Sequence, residues 1–227
     1  MTTNQILLLR VGMDLGFGAL GPLFADGSFE YIPIPENPEK TSSRSILFSQ
    51  IPGRSGGTAE QFLPKRYLES PAHYDPEFET FTYGDPTKYK RGQLLRLTRD
   101  DILLFYAGLR PPAQQQGSRL YLIGYFTIKN IYDVTTLHPW PPPGLKHLWA
   151  NAHFRRKNGD QGLVVAEGSP HTSRLLAKAV PISDERQEVL PAMQRRLGIM
   201  GSVKRAGAGR WVPPAYVSSV AEWLRTL

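Results

Sequence analysis

The sequence contains no cysteine, which excludes disulfides, thiolate metal sites and cysteine nucleophiles and points to a reducing compartment. It also lacks long apolar runs. The aliphatic stretch Ile6 to Leu9 ends at Arg10, too short for a signal sequence core or a membrane span. The expectation is a cytoplasmic protein without a membrane partner. Acids are missing from two whole stretches. Val134 to Gly159 holds none, but does hold Lys146, Arg155, Arg156 and Lys157. Val189 to Ala221 again holds none, beside Arg195, Arg196, Lys204, Arg205 and Arg210. These nine bases exceed the net charge of the whole chain, +7. A surface of that kind meets phosphates or is simply a solvated basic face, and charge alone weighs the two equally.

What is present suffices for a core: 227 residues with 41% hydrophobic and 11% aromatic content suit one large globular domain or two small ones. Gly16-Phe17-Gly18-Ala19-Leu20-Gly21 has the spacing of a dinucleotide-binding turn. That reading needs a helix after the glycines. Pro22 follows instead, and Asp26-Gly27 lies between Leu23-Phe24 and Phe29-Tyr31, which is hairpin chemistry. The glycines are therefore read as a bulged, irregular segment.

Further along, Thr58 and Gln61 have the spacing of a capping box for a short helix reaching Pro64. Pro71, Pro76 and Pro86 keep the next stretch loop-like. The strongest pattern is the pair "DDILLFYAGLR" and "RLYLIGYFTIKNI", separated by a polar loop from Pro111 to Ser118. The second run is apolar on both faces, as in a central strand, with a bulge expected at Gly124. After "HPWPPPG", a short helix is expected in "LKHLWANAHFRRKNG" and a strand in "GLVVAEG". Ser183 marks the start of a helical segment to Gly198 interrupted by Pro191, and Val217, Val220, Ala221, Leu224 and Leu227 form a helical stripe. The fold class is α+β: a bulged, barrel-like mixed β core with short helices and a helical C-terminal part.

The blocks "GFGALGPLFADGSFEYIPIPE", "AHYDPEF", "LTRDDILLFYAGLR", "YLIGYFTIKNI", "NAHF" and "SRLLAKAVPI" stand in an order that resembles the third type of nucleotide-modification-associated domain, over roughly residues 8 to 185. More distantly, the two apolar runs resemble barrel strands of PUA, EVE and ASCH domains. The resemblance implies a domain over residues 1–185 with a helical extension, 186–227, packed on it. It also implies a function linked to nucleic-acid base modification, with nucleic acid or a nucleotide as partner. Where the family pattern has Arg/Lys-Gly-Phe-Asp, this chain has Val11-Gly12-Met13-Asp14, so the turn departs from the pattern; the resemblance implies a base- or phosphate-binding role for Asp14.

Several residues can carry chemistry. His73 and Asp75 point the same way if their segment is extended, and could bind a divalent metal or act as acid and base, joined by His153 or His171. Against that, Asp75-Pro76 is a natural turn. Asn151 could read a base edge beside His153, or cap a helix, or both. Arg155, Arg156, Lys157 and Arg174 suit phosphate, and Trp140, Trp149, Phe154 and Trp211 could stack on an exposed base. Three functions follow: recognition or processing of a modified base in one pocket lined by His73, Asp75, Asn151, His153 and Arg174, a metal-assisted enzyme acting on a nucleotide or base, and a basic interaction module without a pocket.

Overall fold

A computed structural model describes residues 4–112, 119–134, 138–204 and 207–227. Chain order begins with β1 (Ile6–Arg10), whose side chains Ile6 to Leu9 are all fully buried, each stabilising the fold by about 2 kcal/mol. A 3-10 turn, Leu15–Phe17, follows in place of a Rossmann helix; the Asp14 carboxylate accepts from the Gly16 amide at 2.8 Å. The chain then runs into β2 (Gly21–Pro22) and a hairpin closed by the Leu23–Phe29 bridge around Asp26-Gly27. A Cβ at Gly21 would lie 2.1 Å from the Glu30 carbonyl oxygen, so close backbone approach explains that glycine.

Short strands β3 (Ile34–Pro35), β4 (Ile46–Leu47) and β5 (Pro71–His73) form a small antiparallel sheet in the order β3-β5-β4. Next come β6 (Thr82–Asp85) and α1 (Lys88–Leu94). The apolar pair forms β7 (Ile102–Arg110) and β8 (Arg119–Asp133); residues 113–118 of the loop between them lie outside the described residues. α2 (Ala152–Arg155), β9 (Val164–Gly168), β10 (Arg174–Pro181), α3 (Pro191–Leu197), β11 (Arg210–Trp211) and α4 (Pro214–Arg225) complete the chain.

The large sheet is mixed, with the order β11-β1-β7-β8-β9-β6. β10 adds to β8 and β2 to β7. β1 and β2 run parallel to β7; the other pairings are antiparallel. As its two apolar faces imply, β8 is central: its first half lies between β7 and β10 and its second half turns to β9. Its register against β7 slips between the Phe105–Gly124 and Tyr106–Leu122 pairs, placing the bulge beside Gly124. The class is α+β with a bulged mixed sheet and short helices, and the sheet does not close into a barrel.

The C-terminal stripe folds as read: Val217, Val220, Ala221 and Leu224 of α4 are buried, and share one core with Val189, Leu197 and the large sheet. Two other readings fail locally. Ser183 starts no helix; its Oγ accepts from the Leu120 amide at 3.0 Å, and α3 begins at Pro191 because a residue before proline is held extended. Thr58 precedes a 3-10 turn but makes no side-chain cap bond, since Gln61 donates instead to the Gly56 carbonyl. Among the described residues no helix is long and apolar enough to cross a membrane.

Candidate functional site: a buried polar network under a cleft

Four of the sequence candidates converge. His73 ends β5, Asp75 lies in the turn after it, and Asn151 and His153 stand at the start of α2. Ligand atoms of His73, Asp75 and His153 all lie within 4.8 Å of one another, and the two imidazoles meet edge to face with centroids 4.7 Å apart. His73, Asp75, Asn151 and His153 are all buried, none more than 7% exposed.

Each member is held by a specific bond. The Asn151 side-chain oxygen accepts from the His153 amide at 3.0 Å, capping α2, while its amide nitrogen donates to Asp75 at 2.6 Å. Both ends of Asn151 are therefore engaged within the protein, and it positions Asp75 rather than meeting a base edge. Asp75 also accepts from the Gly84 amide at 3.1 Å, and the Tyr31 hydroxyl donates to the Asp75 carbonyl at 3.0 Å. His153 reaches Asp160 through Nδ1 at 2.7 Å and the Gly84 carbonyl through Nε2 at 3.1 Å. Gly84 is required at its position in β6, because a Cβ there would lie 2.6 Å from the His153 ring.

Arg156 departs from the phosphate-facing role assigned to it. It is buried, donates to both oxygens of Glu36 at 2.8 and 3.0 Å, and pairs with Asp160. Glu36 in turn accepts from His73 Nδ1 at 3.0 Å, and Lys40 pairs with Asp160 at 2.5 Å from the surface side. Three carboxylates, Glu36, Asp75 and Asp160, are thereby balanced against Arg156, Lys40 and His153.

The protonation pattern follows from these contacts. Burial opposes charge on His153, but its hydrogen bonds to Asp160 and Asp75 win and raise it to about 9, so it is an imidazolium at neutral pH. For His73 burial dominates over the Glu36 bond and lowers it, keeping it neutral. Burial would raise Glu36, yet its bonds with His73 and Arg156 pull it down to about 2. Asp160 is held well below the usual carboxylate range: its bonds to His153 and Lys40 overcome burial.

Asp160, although only 8% exposed, is the network carboxylate that borders a cleft. With Val134, His138, Trp140, Asn158 and Gln161 it lines a cleft of about 400 Å³. Trp140 stacks on Phe154 at 5.3 Å and an interplanar angle of 6°, and its buried Nε1–H has no hydrogen-bond partner among the described residues. Asn158 and Gln161 are exposed, with side-chain amides that offer both donors and acceptors. Arg155 is half-buried, donating to the Ala150 and Arg44 carbonyls, and Lys157 is exposed.

The remaining candidates lie elsewhere. Asp14 caps its own turn and pairs with Arg10 at 3.6 Å. Arg174 and His171 line a different cavity, so His171 does not join His73. Trp211 lies under Arg96. Arg205 falls outside the described residues. Sequence reading missed Glu36, Gly84, Asp160, Asn158 and Gln161. One signal was available: Asp160 is the first acid after the Val134–Gly159 block.

Fold and network together define an α+β protein with a buried His–carboxylate network set beneath a polar, tryptophan-lined cleft in a basic segment. A family model described as nucleotide modification associated domain 3 matches residues 5–223, and the chain belongs to that family. It is similar to one solved structure, the N-terminal domain of Thermococcus gammatolerans McrB bound to m5C DNA, at 13% identity and a TM-score of 0.36, over 98% of each chain. A likeness that loose transfers no ligand. No curated protein matches the chain by sequence.

Proposed function

We propose that the protein binds nucleic acid and recognises a modified base, taking the base into the cleft above Asp160. The observation that carries this reading is the position of Asp160, which lines the cleft while its carboxylate is held by His153, Arg156 and Lys40. The exposed Asn158 and Gln161 amides match the mixed donor and acceptor pattern of bases, and the held carboxylate keeps the cleft beside them negative. Trp140 lines the cleft with an aromatic ring of the kind that receives bases removed from a stack. Lys146, Arg155 and Lys157 flank these residues in sequence and supply phosphate contacts. Family membership supports the link to nucleotide modification. Within this reading, residues 186–227 are a largely helical extension of the domain of residues 1–185, with β11 joining the large sheet beside β1.

A second reading, metal-assisted chemistry, is favoured by the proximity of His73, Asp75 and His153. It requires His153 to give up a ring proton now held against Asp160 or Gly84. Fluorescence anisotropy separates the readings: oligonucleotides identical except for one modified base are titrated with and without divalent ions and chelator. Metal-independent preference for a modified base supports recognition. Equal binding to every strand contradicts it.

A further inference from the structure

A second cavity, of about 330 Å³, shares no lining residue with the cleft above Asp160. Its walls come from the start of β7, the middle of β8, the start of β10 and the end of α4. Ile102, Tyr125 and Ala221, all buried, supply an apolar lining. Arg174, Arg225 and His171 are exposed around it. The Arg174 guanidinium lies 5.8 Å from the Tyr125 ring centroid, and both Arg174 and Arg225 act on the Tyr125 hydroxyl, opposing the upward push of burial. Among the described residues, neither arginine forms an ion pair with a carboxylate.

Exposed arginines are ordinarily just solvated. Two that line one apolar cavity beside a tyrosine, with a histidine next to them and no acid paired to them, form a receptor for an anion attached to an apolar body. Asp100 also lines the cavity, as do Thr172 and Thr127, whose hydroxyl donates to the Thr172 carbonyl at 3.2 Å. They supply hydrogen-bonding partners for amino and hydroxyl groups of such a ligand. We infer that this cavity binds a nucleoside 5′-monophosphate group, with phosphate on Arg174 and Arg225 and the base against Tyr125 and Ile102. The ligand is a free nucleotide or the phosphorylated 5′ end of a strand, and the site stands whether or not the cleft above Asp160 reads bases.

Isothermal titration with the full chain tests this, using nucleoside 5′-monophosphates, the matching nucleosides, inorganic phosphate, and short strands with and without a 5′-phosphate. Saturable binding of the monophosphate or the 5′-phosphorylated strand is expected, at least about tenfold tighter than its dephosphorylated counterpart. Whichever of the two binds identifies the source. Arg174→Ala and Arg225→Ala each weaken it about tenfold, with thermal midpoints unchanged because both side chains are exposed. Trp140→Ala leaves it intact. No saturable binding at millimolar concentration, inorganic phosphate binding as tightly as the nucleotide, or affinity unchanged in both arginine variants overturns the inference.

Discussion

His153 and Asp160, seven residues apart, join at 2.7 Å between Nδ1 and Oδ2 and link a fully enclosed network to an open cleft. The same imidazole touches the Gly84 carbonyl of β6, and the Asn151 side chain caps the short helix that carries it. Helix, strand and cleft are fixed through one ring.

That ring makes stability depend on alkaline pH. His153 faces Asp160, Asp75, Arg156 and His73, and its folded value is raised to about 9. A raised value means its contribution is complete below about pH 6.5, its ordinary value, and disappears as pH climbs to about 9, a loss on the order of 3 kcal/mol. His73, lowered by burial, acts the other way and removes stability as pH falls below about 6.5. Urea midpoints measured from pH 5 to 10 are expected to peak near the ordinary histidine value. A flat alkaline limb would refute the charged His153.

Arg156→Ala leaves Glu36 and Asp160 without their shared buried partner and is expected to cost about 3 kcal/mol in urea unfolding. Arg155→Ala, next to it but half-buried and bonded only to carbonyls, is expected to cost no more than about 1 kcal/mol. Similar losses for both would mean that Arg156 is not the keystone of the network.

Gly84→Ala drives a methyl into the His153 ring, and the displaced imidazole is expected to cost about 1–3 kcal/mol. Thermal unfolding reads the loss. A wild-type midpoint would show that the ring has room to move.

How much of this could be read from residues alone differs by element. β7 and β8 were legible because an apolar run bounded by turns leaves few alternatives, and α4 because its stripe repeats at helical spacing. The grouping of His73, Asp75, Asn151 and His153 was legible only through their shared blocks. Their bonding was not, since Asn151 serves as cap and clamp at once and Glu36 enters from a distant strand end. Arg156 looked like its neighbours Arg155 and Lys157. Only the folded chain shows it turned inward between two carboxylates that are 124 residues apart.

If Arg155 and Lys157 meet phosphates, Arg155→Ala/Lys157→Ala is expected to flatten the log-log salt dependence of oligonucleotide binding by up to about two units, without regard to sequence. Anisotropy titrations from low to high salt give the slope. An unchanged slope would remove this face from the phosphate contacts.

The most direct measurement is the ratio of affinities for a strand with the preferred modified base and the same strand with the ordinary base, compared between wild type and Asn158→Ala/Gln161→Ala. Both side chains are exposed at the cleft, so the fold is retained. The ratio is expected to fall about tenfold or more, toward one, while the salt slope stays as in the wild type. A ratio unchanged in the double variant would contradict the cleft above Asp160 as the place where the base is read.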